Sequence, residues 1–182
     1  MFLFHMKCAL MADMMRLLVT SGVSSHSHPA VALQFFECVT RYEKFFSQEP
    51  QYIPNILTAF LDNRGMRNSS PRVRTRTAYL FSRVVRCLKT HLTAFTEEIL
   101  TQLTELLVLA PPVFENGVIV PLLTNDDQLY IFESASILIV SGSWEASHKE
   151  ALLRNILSPI LIKVTSLLEQ LTEEQIPARQ VG

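Results

Sequence analysis

The sequence predicts an all-α fold in which helix pairs stack side by side into a solenoid. Three observations carry this. Apolar residues recur at helical spacing along most of the chain, no segment alternates apolar and polar residues convincingly enough to be a strand, and helix starts recur at intervals of about 42 and 55 residues. Composition agrees. Of the 182 residues 48% are apolar, 18% are charged, five are glycine, and mean hydropathy is +0.23. A disordered chain has the opposite signature. The apolar surplus exceeds what one small globule needs to hide, as expected for a piece of a larger stacked structure.

A first helix is expected from about Leu3 to Val19, ending at the loop SGVSSHSH. Pro29 suits the opening position of a second helix, where a missing N–H costs nothing, and its face is Val31, Phe35, Cys38, Val39, Tyr42 and Phe46. A shorter third helix follows the break SQEP, from Tyr52 to Asp62. Ser70 and Pro71 form an N-cap and first-turn pair opening a fourth helix that runs to about Thr90. The fifth, near Phe95 to Leu109, buries Ile99, Leu103, Leu106 and Leu107 and stops at Pro111-Pro112. PPVFENGVIVPLLTN reads as a loop, because proline and isolation argue against a strand in Gly117 to Leu123. A sixth helix starts after Thr124, with Asp127 completing a capping box, and ends near Ser141-Gly142. The seventh, from about Glu145 to Glu173, aligns Leu153, Leu157, Ile160, Val164, Leu167, Leu168 and Leu171, with a kink expected at Pro159.

The helix starts bracket the 40–47-residue period of HEAT units once the long loop is allowed for. Pro71-Arg72-Val73-Arg74 followed by Ala78 and Phe81 looks like the opening of a HEAT second helix. The expected organisation is a HEAT-repeat α-solenoid over 1–173, with pairs at 1–46, 52–90 and 95–141, an unpaired helix at 145–173 and a tail at 174–182. An unpaired helix implies a neighbour beyond it, so the chain is expected to be a fragment.

Net charge is −1, yet the charges are segregated. No acid lies between Asp62 and Glu97, where Arg64, Arg67, Arg72, Arg74, Arg76, Arg83, Arg86 and Lys89 supply half of all basic residues. From Glu97 onward acids outnumber bases twelve to four. At 100° per residue, Arg72, Arg76, Tyr79, Arg83 and Arg86 fall within a stripe about 80° wide, opposite Val73, Ala78, Leu80, Phe81, Val84, Val85 and Leu88. Co-aligned guanidiniums repel one another, and a polyanion would relieve that repulsion, with Tyr79 placed to stack or donate a hydrogen bond. The other reading is that neighbouring helices supply the acids. Lys89 is a further candidate for the phosphate-binding surface. Arg64 and Arg67, in the loop NRGMRNSS, either extend the basic surface or are solvated loop charges. Arg74 points into the apolar arc and is expected to make structural hydrogen bonds between repeats.

Other chemistries find no constellation. Cys8, Cys38 and Cys87 have neither disulfide nor metal spacing and are expected as buried thiols in a reducing compartment. His26 and His28 lack a third ligand. There is no glycine-rich phosphate loop and no nucleophile elbow, so neither catalysis nor a cofactor is expected. Apolar stretches at the N-terminus, interrupted by Lys7, Asp13 and Arg16, are too short for a secretion signal or a membrane span. No membrane is expected, and the chain reads as soluble and intracellular. The Met-rich opening is expected to serve packing.

The strings DMMRLLVTSGVSS, FFECVTRYEKFF, FLDNRGMRNSSPRVRTRTAYLFSR and DDQLYIFESASILIV are similar in order and spacing to the exportin-T family, tRNA export receptors of the importin-β (karyopherin) superfamily. The resemblance runs from about Ala12 to Leu171. MFLFHMKCALM, the tail LTEEQIPARQVG and, in part, the PPVFENGVIVPLL loop depart from it. It implies a HEAT superhelix that shuttles between nucleus and cytoplasm through nucleoporins, carrying tRNA with Ran-GTP. Second helices would line the concave side, and Ran-GTP would be gripped mainly by N-terminal repeats lying outside this segment. A HEAT scaffold that binds protein partners with no RNA role is the alternative.

Overall fold

The computed structural model describes residues 2–107, 113–115, 118–120 and 123–174. Eight α-helices appear among them: α1 (Phe2–Thr20), α2 (Pro29–Arg41), α3 (Glu43–Gln48), α4 (Ile53–Leu61), α5 (Pro71–Leu88), α6 (Thr96–Leu103), α7 (Asn125–Ser141) and α8 (Ala146–Glu174). The fold is all-α and solenoid-like, as its helical periodicity predicts. Helices α2, α5 and α7 pack side by side as one layer, and α4 and α6 pack together in the second.

Local chemistry explains the helix boundaries. Pro29, Pro54 and Pro71 each occupy the first turn of a helix. His28 caps α2 by accepting the Ala30 N–H at its Nδ1 (3.2 Å), and His26 Nδ1 in turn accepts the His28 N–H (3.0 Å). The two histidines therefore cap backbone. The expected continuous helix to Phe46 is instead divided at Tyr42, where φ −110°, ψ 34° leaves the helical region and lets Phe45 and Phe46 turn into the core. Ser70 holds the N-cap position of α5 without a side-chain capping bond. The capping box of α7 forms, Thr124 accepting the Asp127 N–H and Asp127 accepting the Thr124 N–H, both at 3.2 Å.

The long loop corrects expectation. Val113–Glu115 and Val118–Val120 pair antiparallel, with Val113 opposite Val120 and Glu115 opposite Val118. Val113-Phe114-Glu115 and the β-branched Val118-Ile119-Val120 flank Asn116-Gly117 in the sequence, the strongest short hairpin signal, which the proline argument outweighed. Pro111, Pro112, Leu109, Cys8 and the tail from 175 lie outside what can be described, at least for their side chains.

The core runs across both layers. Phe36, Phe60 and Phe81, from α2, α4 and α5, pack in succession with tilted rings, centres 4.7 and 5.6 Å apart, and are fully buried. Ile99, Leu103, Leu106 and Leu107 are buried as expected, whereas of the N-terminal methionines Met15 is buried and Met11 and Met14 are exposed. Gly65 folds the loop after α4 back over that helix. A Cβ there would sit 2.4 Å from the Phe60 carbonyl oxygen, so only glycine allows the approach that seats the start of α5. Leu157, Val164, Leu167, Leu168 and Leu171 on α8 are exposed, as are Leu10 and Leu17 on α1. By length and composition alone α8 could cross a membrane, its 146–171 stretch reaching hydropathy 1.5 with none of it buried; it also carries Arg154, Pro159 and Lys163.

Candidate functional site

Helix α5 is positioned by its back and presents its front. Val73, Ala78, Leu80, Phe81, Val84, Val85 and Leu88 are buried, and this fixes the rotation that turns Arg72, Arg76, Arg83 and Arg86 to solvent. Neighbours α2 and α7 lie on either side. The stripe thus runs along the middle helix of a three-helix layer. Cys87, 60° from Arg72 on the wheel, lies at the stripe's edge and is exposed, and Cys38 is half-buried. The expectation of buried thiols fails for both, because the register places them on faces away from the core.

The arginines fall into two classes. Arg76 is held by Glu37 of α2, with Nε and NH2 at 2.7 and 2.6 Å from Oε1, and its guanidinium carbon lies 4.9 Å from the Tyr79 ring centre. Arg86 pairs with Glu133 of α7, whose Oε2 also accepts the Ser82 hydroxyl (3.4 Å). The hydrogen bond that Arg86 donates to Glu133, with the charge of that carboxylate, pushes the Arg86 pKa up. Arg72, Arg83 and Lys89 have no ion pair or side-chain hydrogen bond among the described residues. Arg74 is buried and donates from NH1 to the Asn68 and Ser69 carbonyls (2.8 and 3.0 Å), tying down the loop ahead of its helix.

Tyr79 is half-buried and meets Tyr130 of α7 edge to face, ring centres 5.4 Å apart. The two tyrosines, with Arg72, Thr75, Arg76, Gln34 and Glu37, line an open groove of about 780 Å³ between α2, α5 and α7. Arg64 and Arg67 are engaged elsewhere. Arg64 pairs with Asp62 (2.7 Å) and donates to the Ser24 hydroxyl (3.1 Å). Arg67 donates to the carbonyls of Leu61 and Gln102 and to Glu105, in the groove between α4 and α6 on the second layer. Sequence reasoning missed Glu37, Glu133 and Tyr130. Their contact with α5 depends on which helices become neighbours, and periodicity does not carry that. Among the described residues no group of three or more His, Cys, Asp or Glu could hold a metal.

This layered basic face sits in a chain whose residues 6–180 match the family model described as Exportin-T. The chain belongs to the exportin-T family. It is 53% identical over 176 residues to human Exportin-T, covering 97% of this chain and 18% of that protein, and 51% identical over the same extent to the zebrafish (Danio rerio) protein. Arabidopsis thaliana Exportin-T is 35% identical over 88% of the chain. The chain therefore spans less than a fifth of the length of the curated relatives it matches. The match covers residues 6–180, further at both ends than the expected run from Ala12 to Leu171.

Proposed function

We propose that this chain is a segment of a tRNA nuclear export receptor, non-enzymatic, whose α5 face contributes phosphate contacts to tRNA. The observation that carries the reading is the set of exposed arginines on the central helix of the α2–α5–α7 layer, in a chain of the exportin-T family. HEAT pairs at 1–46, 52–90 and 95–141, with 145–173 opening a further unit, would form part of a shuttling arch. Its second helices would line the concave side. Ran-GTP and nucleoporins are partners of the whole receptor, between nucleus and cytoplasm. Arg72 and Arg83 are the leading contacts, and Arg76, Tyr79, Arg86 and Lys89 complete the surface. Arg64 and Arg67 serve the loop and the second layer.

Free guanidiniums at Arg72 and Arg83 lie eleven residues apart, about 16 Å along the axis, and within 20° of one another. That spacing suits two contacts on a folded phosphate backbone. The test is tRNA binding by the wild-type chain and by R72E/R83E across salt. The double charge reversal is expected to weaken binding at least about tenfold and to lower the slope of log K against log salt by about 1.5. An unchanged affinity and slope would remove this helix from the RNA surface. The alternative, a HEAT scaffold for protein partners, is favoured by one observation: carboxylates from α2 and α7 already satisfy Arg76 and Arg86. Retention of acidic peptides without retention of tRNA would select it.

A further inference from the structure

We infer that Glu37 and Glu133 are selectivity residues of the basic face: each occupies one arginine as an exchangeable stand-in for phosphate, so the face favours polyanions over single anions. The inference rests on the tRNA reading of that face. Its basis is the division of the stripe into two unpaired arginines, Arg72 and Arg83, and two paired ones, Arg76 and Arg86.

The pairing comes from both sides. Glu37 reaches Arg76 from α2, and Glu133 reaches Arg86 from α7. Arg76 and Arg86 keep 46% and 54% of their side chains exposed, and their carboxylates 37% and 36%, so water and ligand reach both members of each pair. Exposed pairs of this kind are weak, because water screens the charges and holding two long side chains in one geometry costs entropy. A phosphodiester offers the same charge-assisted acceptor as a carboxylate, so exchanging one for the other is close to neutral. An isolated phosphate therefore gains little at Arg76 or Arg86. A chain of phosphates anchored at Arg72 and Arg83 acts differently, because it presents further phosphates at high effective concentration and can displace both carboxylates. The glutamates thus reduce affinity for every anion but reduce it most for short ones.

The test compares wild type, E37Q, E133Q and E37Q/E133Q in the full chain, with tRNA and inorganic phosphate as probes. Glutamine keeps size and removes the charge. The double variant is expected to bind tRNA at least about threefold more tightly and to steepen the salt slope by about 1.5, because no displaced glutamate then takes up a cation to offset the counterions released from the phosphates at Arg76 and Arg86. Phosphate affinity should rise by a larger factor than tRNA affinity, lowering the ratio between the two. R76Q/R86Q placed in the E37Q/E133Q background should cancel these gains, which a merely structural effect of the glutamines would leave in place. If wild type binds tRNA and R72E/R83E weakens it, but E37Q/E133Q changes neither slope nor ratio, the inference is overturned while the reading stands. If R72E/R83E changes nothing, the reading itself falls and the inference with it. Melting temperatures within a few degrees of wild type confirm folding. Should the double variant unfold, either single variant carries the test, with about half the slope change expected.

Discussion

At the scale of single residues, the ion pairs divide by location. Arg16 of α1 donates to both oxygens of Glu49, its Nε lying 3.0 Å from Oε2, and Gln51 adds a third hydrogen bond (3.2 Å). The hydrogen bond from Arg16, reinforced by its charge, holds the Glu49 carboxyl below its ordinary value of 4.5. The folded pKa lies below the unfolded one, so the contribution is fully present above the unfolded value. It is lost as pH falls through the folded value. E49Q should therefore melt slightly below wild type at pH 7, with the gap closing below about pH 4 as the wild-type carboxylate protonates. Thermal melts from pH 7 to 3 check this, and a gap independent of pH would assign the loss to packing. Thr77 is the opposite case, its hydroxyl fully buried with no hydrogen-bond partner among the described residues while the surrounding face is apolar.

Among the elements, α5 was the most legible in the sequence and the loops around it the least. Pro71, the apolar arc and the arginine stripe specify start, rotation and exposed face, and the structure reproduces all three. The break at Tyr42 escaped because the apolar spacing continues unbroken across it. The strand pair Val113–Glu115 and Val118–Val120 escaped because local turn chemistry competed with a proline rule. Arg76 and Arg86 could be placed on the stripe, but Glu37 and Glu133 become their partners only through packing of α2 and α7. Asp127, nearly fully buried, adds a tie between α7 and α5: its Oδ2 accepts both the Thr124 N–H and the Thr75 hydroxyl (2.8 Å). D127A loses the capping box and leaves the Thr75 hydroxyl without this acceptor, at an expected cost of about 1–3 kcal/mol. D127N can present its amide oxygen to the same two donors and should cost less. Urea unfolding of the two variants separates these outcomes, and equal losses would show that charge, rather than the shared acceptor, ties the helices.

For the whole molecule, the layers leave apolar residues uncovered on the outermost helices. Leu10 and Leu17 on α1 are 71% and 67% exposed, and Leu161 and Ile162 on α8 are 65% and 70% exposed. HEAT units bury such faces by stacking, and the relatives run more than five times the length of this chain. Repeats of this kind gain stability from each interface with a neighbour, so this segment by itself is expected to lack some of that stabilisation. Uncovered faces of this size associate in water. The isolated chain should therefore self-associate with rising concentration. Sedimentation velocity at rising concentration is the measurement. Replacing Leu161 and Leu168 by glutamine should shift the chain toward monomer while circular dichroism stays helical, because glutamine propagates helices nearly as well as leucine. A wild-type chain that remains monomeric throughout would mean these leucines are covered within the chain, α8 closing on the groove whose wall it already forms with Ile156, Ile162 and Leu167 opposite Leu100 of α6.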